Sequence, residues 1–134
     1  LDCFRGLIDG QRVIYQQKFI THPGYDVHLL VLGDRVWGMK RKNPRHWITN
    51  ISQGGVGEVF QVGAEERGLA LRAANAVGAH FAGVDLITDS MTGERFILEV
   101  NAVPGWRAIA GVIGIDIAGE LISEIERLRK CNML

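Results

Sequence analysis

The chain has 134 residues, 47% of them hydrophobic and 22% charged, a size and balance suited to one modest core. Its 15 basic and 15 acidic side chains cancel to a formal charge of zero, which excludes a strong global field toward nucleic acid or membrane. No apolar run reaches the roughly 20 residues of a membrane-spanning helix and no signal-peptide pattern is visible, so a cytoplasmic protein is expected.

Arg12 to Ile20, rich in Val13, Ile14, Tyr15, Phe19 and Ile20, reads as a strand, and Thr21 to Tyr25 with Pro23-Gly24 as a turn. Strands are predicted over Asp26 to Leu32 and Arg35 to Arg41, joined by Gly33-Asp34, a pair suited to a two-residue hairpin. Lys42 to Glu58 is a polar, basic loop carrying Trp47 and three glycines, followed by a short strand over Val59 to Val62. Ala64 to Ala79 reads as a helix whose acidic start, Glu65 and Glu66, suits the helix dipole. Phe81 to Thr88 and Arg95 to Asn101 are predicted strands around a polar turn. A short helix near Arg107 to Val112 and a longer one from Ile115 to Lys130 close the chain, the latter burying Ile117, Leu121, Ile122, Ile125 and Leu128. The hairpins favour an α+β layer architecture: a mainly antiparallel sheet with helices packed on it.

Cys3 and Cys131 sit at opposite ends, match no metal spacing and read as reduced thiols. The chain starts with Leu1 rather than methionine, and the stretch to Gly10 has no evident role in the fold. Residues 1–134 are therefore expected to form a single partial domain of a longer polypeptide.

The strongest chemical signal is Gly83-Val84-Asp85-Leu86-Ile87 followed by Ile97-Leu98-Glu99-Val100-Asn101. Side chains alternate across a strand, so Glu99 and Asn101 share one face while Leu98 and Val100 take the other. Folding the intervening turn brings Asp85 level with Glu99. Two carboxylates about 4 Å apart repel by about 4 kcal/mol at an effective dielectric near 20, so one gains a proton or a cation sits between them. Oxygen-only ligands select magnesium or manganese over zinc or copper. The plainer reading makes both acids polar positions on a solvated hairpin. Against it, both strands are otherwise almost continuously apolar, which suggests burial on both faces, where a carboxylate needs a partner.

The order and spacing of several blocks then become familiar. They are Gln17-Lys18-Phe19-Ile20, Gly24-Tyr25-Asp26-Val27, a hairpin ending at Arg41, Thr49-Asn50 before Gly54-Gly55-Val56, and Ala82-Gly83-Val84-Asp85-Leu86. Glu99-Val100-Asn101-Ala102-Val103-Pro104-Gly105 and Gly114-Ile115-Asp116-Ile117-Ala118 complete the set. From about Tyr15 to Ile125 the chain resembles the ATP-grasp superfamily and, within it, the RimK-type α-L-glutamate ligases. The resemblance implies a magnesium (or manganese) triad at Asp85, Glu99 and Asn101. It also implies an adenine-binding hinge at Lys18, Phe19 and Ile20, and nucleotide contacts at Asp26, Thr49 and Asn50. Arg41, with Asn50, is implied at the transferred phosphate or acyl phosphate.

Three positions depart from the family pattern: Lys18 replaces an acidic hinge residue, and His28 and Ile48 each replace an arginine. His28 and Ile48 bear on the acceptor more than on ATP chemistry. Trp106-Arg107 after Pro104-Gly105 resembles a subgroup found beside one-carbon and pterin metabolism. The phosphate-binding lysines and flexible glycine-rich loop of the family's earlier subdomain find no match before Tyr15, so this segment alone is expected to bind ATP weakly and turn over little.

The implied activity is ADP-forming ligation through an acyl phosphate, with glutamate adding to a small-molecule or peptide carboxylate acceptor. The alternatives are a non-catalytic nucleotide-binding module and an ATP-grasp phosphotransferase. His22, His28, His46 and His80 lack ligand spacing and read as surface or turn residues. The basic run Lys40-Arg41-Lys42 lacks interleaved stacking aromatics, which argues against nucleic acid. Trp37 and Trp106 read as packing residues, and Trp47 as the candidate substrate wall.

Overall fold

In the computed structural model, which describes residues 17–131, the first strand lies at the centre of the sheet. This strand, β1 (Tyr25–Leu32), is buried from Asp26 onward because the sheet is covered on both faces. Its neighbours are β2 (Arg35–Lys42) and β4 (Phe81–Thr88), with β3 (Val56–Phe60) and β5 (Arg95–Asn101) at the edges. All four pairings are antiparallel. Gly33-Asp34 closes the first hairpin as its sequence predicts, with Gly33 at a left-handed φ of 60° and Leu32 opposite Arg35.

Alternation along β1 divides the core. Val27, Leu29 and Val31 join Val84 and Leu86 on one face, packed against Ala70 and Ala74 of α1 (Ala64–Ala76). Leu30 and Met39 on the other face meet Ile109 of α2 (Arg107–Ile113) and Ile117 of α3 (Ile117–Lys130). The apolar packing on this second face covers only the half of the sheet near the first hairpin. The remaining half carries Asp26, His28, Arg41 and Asp85, all on residues of the sheet interior.

A β-bulge shapes the last hairpin. Asp85 opposes Glu99, but Leu86 opposes Ile97, leaving Leu98 as the extra residue. Ile97 and Val100 therefore both pack toward α1, and Arg95 reaches Glu65 and Glu66 on that helix at 2.6 and 3.0 Å. Leu98, expected to share a face with Val100, is instead 39% exposed and lines a cavity on the opposite face. The expectation of burial on both faces holds for β4 but not for β5, whose position at the sheet edge leaves Glu99 and Asn101 exposed.

Other expectations shift for local reasons. Only residues 17–20 of the first predicted strand lie within the described residues, and these are not in a strand; the remainder lies outside them. The short strand expected at Val59 to Val62 runs instead from Val56 to Phe60, where it pairs with β2. Helix α1 stops at Ala76 because Gly78 turns left-handed at φ 66° and Ala79 N–H bonds back to the Ala74 carbonyl. Helix α3 starts at Ile117, capped by the Asp116 carboxylate accepting from Gly119 N–H. Its inward positions are Ile117, Glu124 and Leu128, whereas Ile122 and Ile125 are 59% and 44% exposed. Glu124 is tolerated inside because His80 and Arg127 bond to it at 2.7 Å, with Arg35 at 3.7 Å. Among the described residues no helix is long and apolar enough to cross a membrane.

Candidate nucleotide and metal site

The polar half of the second sheet face is built from cross-strand rows. Asp26 lies opposite Arg41, and one step inward His28 lies opposite Asp85, which in turn lies opposite Glu99. Side chains directly across an antiparallel pair lie close enough to interact, and these do. Arg41 donates from Nε to Asp26 at 2.8 Å, its Nη2 makes a second bond to the same carboxylate, and Nη2 also reaches Asp85 Oδ2 at 2.8 Å. His28 Nδ1 meets the other Asp85 oxygen at 2.7 Å. His28, expected at a surface or turn, is buried in the central strand, because β1–β4 pairing joins residues far apart in sequence.

Electrostatics follow from this packing. Burial alone would raise the Asp85 pKa, but the His28 hydrogen bond and the Arg41 charge outweigh it and hold the carboxyl below its usual range. Burial likewise opposes the charge on Arg41, yet its bonds and charges with Asp26 and Asp85 keep the guanidinium above its ordinary pKa. Asp85 is thus an anion held in place between Arg41 and His28.

Two cavities meet at this network. The larger, about 630 Å³, has apolar walls from Phe19, Ile20, Trp47, Ile87 and Leu98. Lys18, Asp26, Thr49 and Asn50 line it too. The smaller, about 340 Å³, is bordered by His28, Arg41, Asn101 and Gly105. Asp85, Glu99 and Asn50 border both, so the carboxylate row forms the partition between them.

The loops are tied to this arrangement. Ser90, in the β4–β5 turn, donates its N–H and hydroxyl to the Thr21 carbonyl at 2.8 and 3.0 Å, fixing the segment that carries Phe19 and Ile20. Asn43 donates to the Ile48 and Gln53 carbonyls at 2.8 and 3.2 Å, closing the loop that presents Thr49 and Asn50. Gly55 completes that closure, since a Cβ there would lie 2.0 Å from the Thr49 carbonyl oxygen. Trp47, 61% exposed, meets Phe19 edge-on at 5.7 Å and stacks with His46 at 5.6 Å.

Every sequence-predicted site residue borders one or both cavities, but their engagements differ. Arg41 and Asp26 spend charge on each other, whereas Glu99 makes no ion pair among the described residues. Asn101 Oδ1 accepts from Val103 N–H at 2.9 Å, which orients its amide. The set fits a hard divalent cation: an unpaired carboxylate opposite a fixed one, with an amide oxygen on the same face. Among the described residues no group of three histidine, cysteine or acidic side chains is placed to hold a metal ion, so this set depends on two carboxylates and an amide. Sequence reasoning singled out His28 only as a departure bearing on the acceptor, and it missed Asn43 and Leu98. Asp26 and His28 share a face of β1, but nothing in the sequence announced the pairing of His28 with Asp85 or the bulge.

Comparison with known proteins gives the family. Residues 3–125 match the RimK-like ATP-grasp domain family. The chain belongs to that family. It is 38% identical over 115 residues to a tetrahydromethanopterin:α-L-glutamate ligase of Methanococcus maripaludis, covering 84% of this chain and 39% of that protein. It is 35% identical over 129 residues to a ribosomal protein bS6–L-glutamate ligase of Escherichia coli, covering 95% of this chain and 42% of that protein. The RimK-like chain thus spans about two fifths of the length of these relatives. Among solved structures, D-alanine–D-alanine ligase from Bacillus anthracis, complexed with ATP, shares the fold at a TM-score of 0.63 and 18% identity, over 87% of this chain and 42% of that one. The ATP-grasp ligase PsnB, complexed with magnesium, ADP and a precursor variant, does so at 0.62 and 24%, over 79% and 32%.

Proposed function

We propose that this RimK-like segment forms the magnesium- and nucleotide-binding part of an ATP-dependent carboxylate–amine ligase that adds glutamate to a carboxylate acceptor. The observation that carries the reading is the alignment of Asp85 with Glu99 on the partition between an apolar-walled cavity and a polar one. The larger cavity suits a nucleobase between Phe19, Ile20 and Trp47, with Asp26, Thr49 and Asn50 at its polar end. The rest of the polypeptide would supply the opposing phosphate-binding surface. Both curated relatives are named as glutamate ligases, which favours glutamate as the amine.

In the proposed reaction an acceptor carboxylate oxygen attacks the γ-phosphorus of ATP, and the bond to ADP breaks with its electron pair leaving on ADP. The glutamate nitrogen then attacks the acyl carbon, the carbon–oxygen bond to phosphate breaks, and the nitrogen's proton passes to water. The protein's part is positioning and charge compensation. Asp85, Glu99 and Asn101 would hold the magnesium ion, which when bound offsets charge on the phosphates. Arg41 fixes Asp85 from behind through the bond at 2.8 Å and borders the smaller cavity, where it adds positive charge beside the transferred group.

The test uses the full-length protein with ATP, magnesium, L-glutamate and candidate acids. ADP release that requires both acid and amine supports ligation. ADP formed with acid alone favours a phosphotransferase, and nucleotide binding without ADP release favours a non-catalytic module.

A further inference from the structure

Residues 43–55 carry the chain from β2 to β3 as a loop whose one regular piece is a short 3-10 turn, Ile51–Gln53. The strand ladder fixes the base of the loop, where Lys42 pairs with Val56. Beyond that base the bonds of the returning arm are local. Gln53 and Gly55 donate their N–H groups to the Asn50 carbonyl at 2.9 and 3.1 Å, and Gly54 donates to that of Ile51 at 3.0 Å. In the outgoing arm Ile48 N–H reaches only as far as His46 Nδ1, at 3.1 Å. None of these bonds ties one arm to the other.

Asn43 does. Its amide nitrogen donates to the Ile48 carbonyl of the outgoing arm at 2.8 Å and to the Gln53 carbonyl of the returning arm at 3.2 Å. Its Oδ1 accepts from Arg45 N–H at 3.1 Å, so both N–H groups and the oxygen of the side chain are in use. Although it sits in a polar loop, Asn43 is only 8% exposed. Among the described residues its two donations are the hydrogen bonds that join the arms.

What this clamp holds is a cavity wall. Trp47, Ile48, Thr49 and Asn50 line the larger cavity from within the clamped stretch, and Asn50 borders the smaller cavity too. The loop tip reaches the facing apolar wall, where Trp47 meets Phe19 edge-on at 5.7 Å. Asn43 itself lines neither cavity, so any effect it has on a ligand passes through the loop. A ligand that needs the folded loop binds more weakly in proportion to the time the loop spends open.

We infer that Asn43 is a positioning residue for the nucleotide: its amide keeps the loop folded, so that Trp47, Thr49 and Asn50 stand in place before the ligand arrives. The inference rests on the nucleotide-site reading above and deepens it by naming a residue outside the cavity on which the cavity depends.

The test is calorimetric binding of ADP with magnesium to the full-length protein, at a temperature where every variant is folded by circular dichroism. Asn43→Asp keeps the acceptor for Arg45 N–H and loses both donations. Asn43→Ala loses all three bonds and adds no charge. Both variants are expected to raise Kd for ADP about 5- to 100-fold, the range for two neutral hydrogen bonds lost together. A fold-only role would lower the urea midpoint and leave Kd within twofold of the parent, which would overturn the inference. Weakening in the aspartate variant alone would trace the effect to added charge and overturn it as well.

Gly55→Ala reaches the same loop by another route, because a Cβ there would lie 2.0 Å from the Thr49 carbonyl oxygen and leave no room for the folded form. In that background Asn43→Ala should change Kd less than twofold, since the loop it holds is already open. A further loss of 5-fold or more would show that Asn43 acts elsewhere and would overturn the inference. A parent protein that binds no ADP removes the nucleotide-site reading and this assignment together, whereas a parent that binds and variants that match it overturn the assignment alone.

Discussion

Replacing Arg41 with methionine tests whether the buried charge network is held by its single cation. The guanidinium bonds Asp26 twice and Asp85 once, and all three residues lie in the sheet interior. Methionine keeps much of the side-chain volume, so the packing loss is small and the effect is electrostatic. Two carboxylates then remain without the group that balanced them, Asp26 with no other partner among the described residues and Asp85 with His28 alone among them. Breaking a buried pair by removing one partner costs about 3–5 kcal/mol. That is a large part of the roughly 5–15 kcal/mol that holds a typical domain together. Urea unfolding, followed by far-ultraviolet circular dichroism, reads the change directly. Arg41→Met with Asp26→Asn should recover at least 1 kcal/mol of the loss, because one of the stranded charges is gone. A loss below about 1 kcal/mol in the single variant, or no recovery in the double, would refute the claim that Arg41 neutralises this row.

Other outcomes follow from the same coordinates. Gly83→Ala should cost about 1–3 kcal/mol by urea unfolding, because its Cβ would lie 2.8 Å from His28 Cε1 and 3.1 Å from Pro104 Cβ, and Asp85 pins the imidazole. Glu99→Gln should weaken magnesium-dependent ADP binding in calorimetry while shifting stability by less than about 0.5 kcal/mol, since Glu99 is exposed and makes no ion pair among the described residues. The Glu124 carboxyl is held down to about 2, by hydrogen bonds from Arg127 and then His80. A depressed acid stabilises the fold above its unfolded pKa near 4.5 and loses that contribution as pH falls toward 2. Glu124→Gln should therefore differ most from the parent protein above pH 4.5, and the two unfolding curves should converge as pH approaches 2.

Much of the fold was legible because short apolar runs and turn residues punctuate it. The bounds of β4 and β5 match the apolar stretches on either side of the Asp89 to Gly93 turn, and Gly33-Asp34 sets the register of the first hairpin. Period-two alternation was enough to place Glu99 and Asn101 on one face. What was not legible depended on partners distant in sequence. Glu124 looks like a surface acid until His80 and Arg127 surround it. Ile122 and Ile125 look like core residues until the helix is rotated to bury Glu124 and Leu128 instead. His28 gains its role only from Asp85, 57 residues later. Residues 17–20, expected to continue a strand, are irregular, and composition alone could not say so.

The extra residue at Leu98 reconciles two demands that a regular strand cannot meet together. With strict alternation, Arg95 and Glu99 would project to the same side, and either the helix contact or the carboxylate alignment would be lost. One inserted residue reverses the parity between them, so Arg95 reaches α1 while Glu99 stays opposite Asp85. Removing a single codon there would accordingly be worse than most point changes: the shortened strand would have to choose between its anchor and its chemistry.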